Sequence, residues 1–163
     1  MRVLMVCTGN TCRSPMAAAL LEWRIAESPE LRGRVLVESA GTGATPGEGA
    51  AVHARETMKR PKYGLDIESH QARPLSRELL EGADLVLGMN GGHRKTCGSV
   101  HPSHRRIFTI GEFAGTGEDV SDPFGQGLEE YEECAGQLVQ LVDLVVERLI
   151  KERAAAQTPG GAG

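Results

Sequence analysis

A cysteine and an arginine near the start of the chain are spaced as a phosphate-transfer site requires. Five residues separate Cys7 from Arg13 in the segment CTGNTCRSP, residues 7–15. That length lets the backbone circle a tetrahedral anion, with the Cys7 thiolate beneath it and the guanidinium of Arg13 beside it. Cys7 would attack phosphorus while Arg13 bound two oxygens in a bidentate grip. The alternative is a small buried cysteine followed by an ordinary surface arginine.

The elements on either side of this segment favour the phosphate site over that alternative. An apolar run at residues 2–6 predicts a strand before it, and residues 14–27 predict a helix after it, with Ser14 as N-cap and Pro15 at the first helical position. A loop that ends on a helix N-terminus binds anions through its backbone N–H groups and the helix dipole. We therefore expect phosphate to be bound by Thr8, Gly9, Asn10, Thr11, Cys12, Arg13 and Ser14.

A second segment supplies a candidate proton donor for the leaving group. Asp122 lies in the polar loop VSDPFG, residues 120–125, ahead of the last predicted helix. Pro123 restricts the backbone next to the carboxylate, and Phe124 can form a wall of the substrate pocket. An Asp-Pro-Phe tripeptide alone is typical of an ordinary turn, so the role of Asp122 as general acid depends on its pairing with the first loop.

The distribution of apolar residues predicts a single doubly wound α/β domain over residues 1–153. Short runs rich in Val, Ile and Leu predict four buried parallel strands, at residues 2–6, 35–38, 83–89 and 106–110. Helices are predicted between and after them, at residues 14–27, 49–63, shortly after 76, 91–97 and 127–153. The alternation implies a central four-stranded parallel sheet flanked by helices. Residues 154–163, AAAQTPGGAG, have no apolar period and are predicted to form a disordered tail.

Composition limits the partners of the chain. The 163 residues carry a formal net charge of −4, which provides no overall basic field for nucleic acid or an anionic membrane. The apolar run at the N-terminus is too short for a signal peptide or a spanning helix, so a cytoplasmic location is expected. Four cysteines (Cys7, Cys12, Cys97, Cys134) are too few for a secreted disulfide framework, so reduced thiols are expected. The expected partners are phosphorylated proteins, and no cofactor is expected.

At this point the sequence resembles a known family. Residues 6–15, VCTGNTCRSP, with the late pair Asp122-Pro123, are similar to the low-molecular-weight phosphotyrosine phosphatases. The similarity extends through ESAGT at 38–42, SHQAR at 69–73 and ADLVLGM at 83–89. The resemblance implies a hydrogen-bond network that supports the loop, formed by Asn10, Ser14, Ser39 and His70. It also implies that Cys12 can form a reversible disulfide with Cys7 and so protect the nucleophile from over-oxidation.

Two positions indicate phosphoarginine as the substrate group. Thr11 stands where tyrosine-directed members usually carry Ile or Leu, and Phe124-Gly125 stands where they usually carry two tyrosines. Both features resemble the bacterial protein-arginine phosphatases of the same family. A polar β-branched Thr suits a guanidinium better than an aryl ring, and Asp122 could pair with the guanidinium charge. Phosphotyrosine remains the alternative, with Thr11 then a neutral variation.

Other functions are less favoured. Arsenate reductases share this loop but need two further cysteines close together, whereas Cys97 and Cys134 are far apart in sequence. A phosphoprotein-binding module without catalysis is disfavoured because the three candidate catalytic residues are all present. A metal site formed by His93, Cys97, His101 and His104 is disfavoured because Pro102 interrupts the helical spacing. We therefore predict no metal, and no Walker-type nucleotide motif occurs.

Overall fold

A computed structural model describes residues 1–160 of the chain. Its strands are β1 (Arg2–Cys7), β2 (Leu36–Gly41), β3 (Leu85–Gly88) and β4 (Ile107–Thr109). Its helices are α1 (Arg13–Glu27), α2 (Val52–Lys59), α3 (Arg77–Gly82), α4 (Gly91–Val100), α5 (Ile110–Ala114) and α6 (Leu128–Gln157).

The four strands form one parallel sheet in the order β2-β1-β3-β4. Strand β1 is central, with Val6 in register with Ala40 of β2 and Gly88 of β3. The strand order reverses at β1 and β3, and in open α/β sheets the crevice at such a switch point binds ligands. The predicted doubly wound domain with a four-stranded parallel sheet is confirmed, and the loop after β1 opens into this crevice.

Helices cover both faces of the sheet because alternate residues of each strand are buried on opposite sides. On one face, Val3 and Met5 of β1 pack in a large core that includes residues of α1, α2, α5 and α6. On the other face, Leu4 and Val6 pack against Leu80 at the end of α3 and against α4. The site therefore rests on a strand whose residues from Val3 to Cys7 are all buried.

The predicted elements exist, but several of their boundaries differ. Strand β2 ends at Gly41, three residues beyond the predicted end, because its last residues pair with β1. The predicted helix at 49–63 shrinks to Val52–Lys59, and α4 extends beyond its predicted end to Val100. Ile110, predicted in the fourth strand, begins the short helix α5, which the apolar pattern did not predict. Thr109 caps that helix by accepting a hydrogen bond from the Glu112 N–H at 3.0 Å.

Helix α6 is longer than predicted. Residues 154–157, which we assigned to a disordered tail, continue the helix to Gln157, so that part of the prediction is wrong. Alanine is the strongest helix former, and three consecutive alanines extend the helix beyond its packed face. Residues 161–163 of the predicted tail lie outside the described residues. Within residues 1–160, none of the helices is both long and apolar enough to cross a membrane.

Candidate active site

The phosphate-binding loop, residues 7–14, leaves β1 and turns directly into α1. Asn10 adopts a left-handed backbone conformation, with φ of 55°, which Asn tolerates better than most residues. The loop lies tightly against the end of β2: the N–H groups of Thr42 and Gly43 donate to the carbonyls of Cys7 and Thr8, each at 2.9 Å. A Cβ on Gly41 would lie 2.9 Å from the Asn10 nitrogen, so the close approach requires glycine there.

Ser14 has a different role from the N-cap we predicted. Helix α1 begins at Arg13, with Cys12 at the cap position, so Ser14 lies within the first turn. Its hydroxyl accepts a hydrogen bond from Asn10 Nδ2 at 2.7 Å and lies 3.0 Å from Cys7 Sγ. Because the serine oxygen already accepts from Asn10, its own proton is available to the Cys7 sulfur. The hydroxyl therefore contacts the Cys7 sulfur instead of capping the helix.

The structure brings together the four residues expected to support the loop. Asn10 Nδ2 also donates to Ser39 Oγ at 3.0 Å, and its Oδ1 accepts from the Arg73 N–H at 3.0 Å. His70 Nε2 lies 2.6 Å from the Asn10 carbonyl oxygen, which requires a proton on that nitrogen. These bonds compensate for the unusual conformation of Asn10 and hold the loop in one shape.

Arg13 and Asp122 form an ion pair at the cavity that Cys7 also lines. Arg13 is buried, and its Nη1 donates to the Val120 carbonyl at 3.1 Å. Its Nη2 lies 3.4 Å from Asp122 Oδ2, while Oδ1 of the same carboxylate accepts from the Phe124 N–H at 3.0 Å. The 122–124 turn thus orients the carboxylate toward Arg13, although about half of the Asp122 side chain stays accessible. A carboxyl group in this position can exchange a proton with a molecule bound at the loop of residues 7–14.

A cavity of about 250 Å³ opens above Cys7. It is lined by six residues of the phosphate-binding loop (Cys7, Thr8, Gly9, Thr11, Cys12, Arg13) and by Gly43, Glu48, Asp122 and Phe124. Asn10 and Ser14, which we also expected to bind phosphate, are fully buried and are not among the lining residues. Their side chains are engaged within the loop itself. Thr11 is buried at the cavity, and Phe124 is 70% exposed at its mouth.

Comparison with known proteins decides the family. The sequence model described as "Low molecular weight phosphotyrosine protein phosphatase" matches residues 2–155, nearly the whole chain. The chain belongs to this family. The resemblance inferred from the sequence is therefore confirmed.

Members of this phosphatase family with two different activities are similar to the chain. A protein-arginine-phosphatase of Geobacillus stearothermophilus is 40% identical over 93% of this chain and 98% of its own length. A probable low molecular weight protein-tyrosine-phosphatase, EpsP of Ralstonia nicotianae, is 38% identical over 90% of this chain and 94% of its own. A solved structure of YwlE arginine phosphatase is that of a cysteine-to-serine mutant with a phosphorylated active-site serine. It is 38% identical to this chain, with a TM-score of 0.85, and the match covers 94% of this chain and 99% of that chain.

In this member of the family, the second loop cysteine has a partner from the last helix. Cys12 Sγ lies 3.1 Å from the hydroxyl of Tyr131 and 3.6 Å from Thr11 Oγ1. Burial raises the pKa of the Cys12 thiol, although the hydrogen bonds from Tyr131 and Thr11 oppose the shift. Burial and the bond to Cys12 raise the pKa of Tyr131 as well. Both groups therefore keep their protons at neutral pH, and Cys12 does not compete with Cys7 as a nucleophile.

His93, which we weighed as a metal ligand, instead contacts the phosphate-binding loop. Its Nε2 lies 2.9 Å from Thr8 Oγ1, and its Nδ1 accepts from the Asn90 N–H at 3.2 Å. The Asn90 bond fixes the proton on Nε2, so His93 donates to Thr8. Burial, followed by the nearby charge of Arg13, lowers the pKa of His93 to about 4. Residues 1–160 contain no cluster of three His, Cys, Asp or Glu side chains placed to hold a metal ion.

The two remaining cysteines lie on opposite faces of the sheet. Cys97 packs with Leu4 and Val6, whereas Cys134 packs in the core that contains Val3 and Met5. Burial raises the pKa of Cys97 to about 11 and that of Cys134 to about 12. They are inert thiols that do not form the close pair an arsenate reductase relay requires.

Several contacts of the site were not predicted from the sequence. His93 reaches Thr8 across 85 positions, and Tyr131 reaches Cys12 across 119. Glu48 is a single acidic residue between two glycines and belongs to no recognisable sequence motif, so the sequence did not indicate its position at the cavity. The one local signal was the His93 position within an Asn-Gly-Gly-His segment, since Asn90 is a strong N-cap and fixes the turn that orients the imidazole.

Proposed function

We propose that this chain is a protein phosphatase that hydrolyses phosphoarginine side chains through a cysteinyl-phosphate intermediate on Cys7. The observation that carries the proposal is the arrangement of the Cys7 sulfur and the Arg13 guanidinium in one loop, with the Asp122 carboxylate 3.4 Å from that guanidinium. The similarity to a protein-arginine-phosphatase over nearly the whole chain supports the same interpretation. The substrates would be phosphorylated proteins, and the cytoplasmic location expected from the sequence stays a prediction.

In the first step, the Cys7 thiolate attacks phosphorus while Arg13 and the loop N–H groups hold the phosphoryl oxygens. A P–S bond forms as the P–N bond to the arginine side chain breaks. Asp122 acts as the general acid and gives a proton to the departing nitrogen. The hydroxyl of Ser14, 3.0 Å from the sulfur, stabilises the thiolate before attack.

In the second step, water attacks the phosphorus of the cysteinyl phosphate. The Asp122 carboxylate, having lost its proton to the leaving group, removes a proton from this water. The P–S bond breaks, inorganic phosphate leaves and the Cys7 thiolate is restored. Asp122 thus acts as acid and then as base and is regenerated in the protonated form.

The choice of phosphoarginine rests on the groups around the attack position. Thr11 is buried and lines the cavity, at a position where an aliphatic side chain would favour an aryl ring. Asp122 lines the same cavity, and a carboxyl oxygen there can accept a hydrogen bond from the guanidinium N–H groups of phosphoarginine. Phosphotyrosine is the second candidate, favoured by the exposed ring of Phe124 at the cavity mouth and by the similarity to a probable protein-tyrosine-phosphatase.

Trapping the intermediate tests this mechanism. Wild-type protein is mixed with a phosphoarginine peptide and quenched in acid within milliseconds, and the phosphorylated residue is located by mass spectrometry. We expect phosphate on Cys7, and we expect Cys7→Ser to lose turnover while it still binds phosphate, because the loop amides and Arg13 remain. Phosphate on another residue, or wild-type turnover by Cys7→Ser, would remove Cys7 from the mechanism.

A further inference from the structure

Glu48 places a second carboxylate at the cavity above Cys7. It lies in the loop between β2 and α2, residues 42–51, and lines the same cavity as Asp122. Its side chain is exposed and makes no hydrogen bond or ion pair with another side chain or backbone group of residues 1–160. Nothing in the described fold thus occupies this carboxylate, which leaves it available to a bound molecule.

The loop that carries Glu48 is attached to the phosphate-binding loop at both ends. At its start, the Thr42 and Gly43 N–H groups donate to the Cys7 and Thr8 carbonyls, and at its end the Ala51 N–H donates to the Thr11 carbonyl, all at 2.9 Å. The Glu48 backbone itself is fixed, because its carbonyl accepts from the Ala72 N–H at 2.7 Å. The backbone from which the carboxylate extends is thereby held in place relative to the loop that would bind the phosphoryl group.

The walls of the cavity contain one aromatic side chain. Among the lining residues that side chain is Phe124, and Gly43 contributes no side chain. A Cβ at Gly43 would meet its nearest neighbour, Thr8 Cγ2, only at 3.9 Å, so this wall is open. An aromatic leaving group would contact the exposed ring of Phe124 and would also lie near the Glu48 carboxylate.

The two candidate substrates differ in charge at the leaving group, next to the phosphorus atom. A phosphoarginine carries its positive guanidinium on the atom next to phosphorus, whereas a phosphotyrosine carries negative charge alone. The cavity has a volume of about 250 Å³, so its width is similar to the Debye length of roughly 8 Å at physiological salt. The electrostatic potential of a carboxylate on the cavity wall therefore reaches a group bound anywhere in the cavity. The carboxylate repels the phosphoryl group of both substrates, but only phosphoarginine has a positive guanidinium that the carboxylate attracts.

We propose that Glu48 is a specificity-determining residue, whose carboxylate binds the guanidinium of phosphoarginine and disfavours aryl phosphates. This inference rests on the proposed function and deepens it. Asp122 must transfer a proton to the leaving nitrogen, so it cannot remain a fixed counter-ion throughout the reaction. Glu48 takes no part in this proton transfer, so its carboxylate can supply that counter-ion in the first step.

The test compares two peptides of identical sequence, one with phosphoarginine and one with phosphotyrosine at the same position. The measured quantity is kcat/KM on the phosphoarginine peptide divided by kcat/KM on the phosphotyrosine peptide. This ratio is obtained for the wild type, Glu48→Gln, Glu48→Asp and Glu147→Gln. Glu147 is exposed on α6 and does not line the cavity, so its variant controls for the loss of one negative charge. We expect Glu48→Gln to lower the ratio about tenfold to thirtyfold, Glu48→Asp to restore most of it and Glu147→Gln to leave it unchanged.

The outcomes separate the inference from the function on which it rests. A wild-type ratio below one would overturn the phosphoarginine assignment itself. Whatever that value, an unchanged ratio in Glu48→Gln, or an equal loss on both peptides, would overturn the role of Glu48 in specificity. Because an electrostatic contact weakens with salt, the difference between wild type and Glu48→Gln should also shrink as the ionic strength rises from about 0.01 M to about 1 M with NaCl. A salt-independent difference would contradict a charge contact.

Discussion

His93 donates a hydrogen bond from Nε2 to the hydroxyl of Thr8 over 2.9 Å, and this bond joins the helix after β3 to the phosphate-binding loop after β1. The Asn90 N–H, 3.2 Å from Nδ1, requires an unprotonated nitrogen there. The imidazole is therefore neutral in the folded protein. Since Thr8 accepts from His93, its own proton is free to point into the cavity, where it can donate to a phosphoryl oxygen.

This neutral histidine makes stability depend on pH. The folded-state pKa of His93 is lowered to about 4, against about 6.5 in the unfolded chain, so unfolding takes up a proton between these values. The contribution of neutral His93 to the free energy of unfolding is fully present above pH 6.5 and is lost as the pH falls toward 4. Between about pH 7 and about pH 5 the wild type should lose about 2 kcal/mol more unfolding free energy than His93→Gln.

Urea unfolding of both proteins at the two pH values measures this difference. The charged groups that act on His93, namely Arg13, Asp122 and Asp119, are unchanged in the variant, and carboxylates elsewhere titrate alike in both. His53→Gln is the control, since the His53 side chain is 42% accessible to solvent. An equal loss of stability in wild type and His93→Gln would refute the neutral buried imidazole.

Asp122→Asn should slow hydrolysis in proportion to how much the leaving group needs a proton. Asparagine cannot donate one, so we expect the first phosphoryl transfer from a phosphoarginine peptide to slow by about two to four orders of magnitude. An activated aryl phosphate leaves without help and should lose much less. Pre-steady-state rates on both substrates measure the two effects, and an equal loss on both would argue against acid catalysis.

Oxidation should distinguish the two loop cysteines. Peroxide converts the Cys7 thiolate to a sulfenic acid, and condensation with the Cys12 thiol yields a disulfide and water. Wild type treated with hydrogen peroxide should therefore regain most of its activity with dithiothreitol, whereas Cys12→Ser should be inactivated irreversibly. The variant Cys97→Ser is the control, because that thiol lies on the other face of the sheet. Full recovery by Cys12→Ser would exclude the protective disulfide.

Local patterns were sufficient for the sheet and for the loop that carries the chemistry. Strand β1, the phosphate-binding loop and the start of α1 are contiguous, so apolar runs, a Cys-to-Arg spacing and a proline near the helix start predicted them together. The same approach misplaced the role of Ser14. A serine before a proline has the pattern of an N-cap, but tertiary contacts with Asn10 and Cys7 take its hydroxyl instead.

Contacts between distant segments could not be predicted from local patterns. The bond from Tyr131 to Cys12 depends on how α6 packs against α1, and the place of Glu48 depends on hydrogen bonds between two loops. Asn10, Ser39 and His70 were assigned together only through the family resemblance. Composition and periodicity contain no information about such pairs, because the pairs form only once the sheet has assembled.

Thr11→Ile should shift substrate preference toward phosphotyrosine. The substitution replaces a hydroxyl with an ethyl group at a buried cavity position, removing a polar contact and adding apolar surface for an aryl ring. One or two contacts change, so the ratio of kcat/KM values should move by about tenfold to a hundredfold. Thr11→Val, which removes the hydroxyl without adding length, separates the two contributions. A ratio unaffected by Thr11→Ile would make Thr11 a neutral variation.

The most direct measurement for the central claim is the wild-type preference between phosphoarginine and phosphotyrosine. Two peptides of the same sequence, phosphorylated on either residue at the same position, are hydrolysed at neutral pH, and kcat/KM is obtained from phosphate release. With a polar Thr11, the Glu48 carboxylate and the proton donor Asp122 around the leaving group, phosphoarginine should be hydrolysed at least about tenfold more efficiently. A higher kcat/KM for the phosphotyrosine peptide would contradict the account.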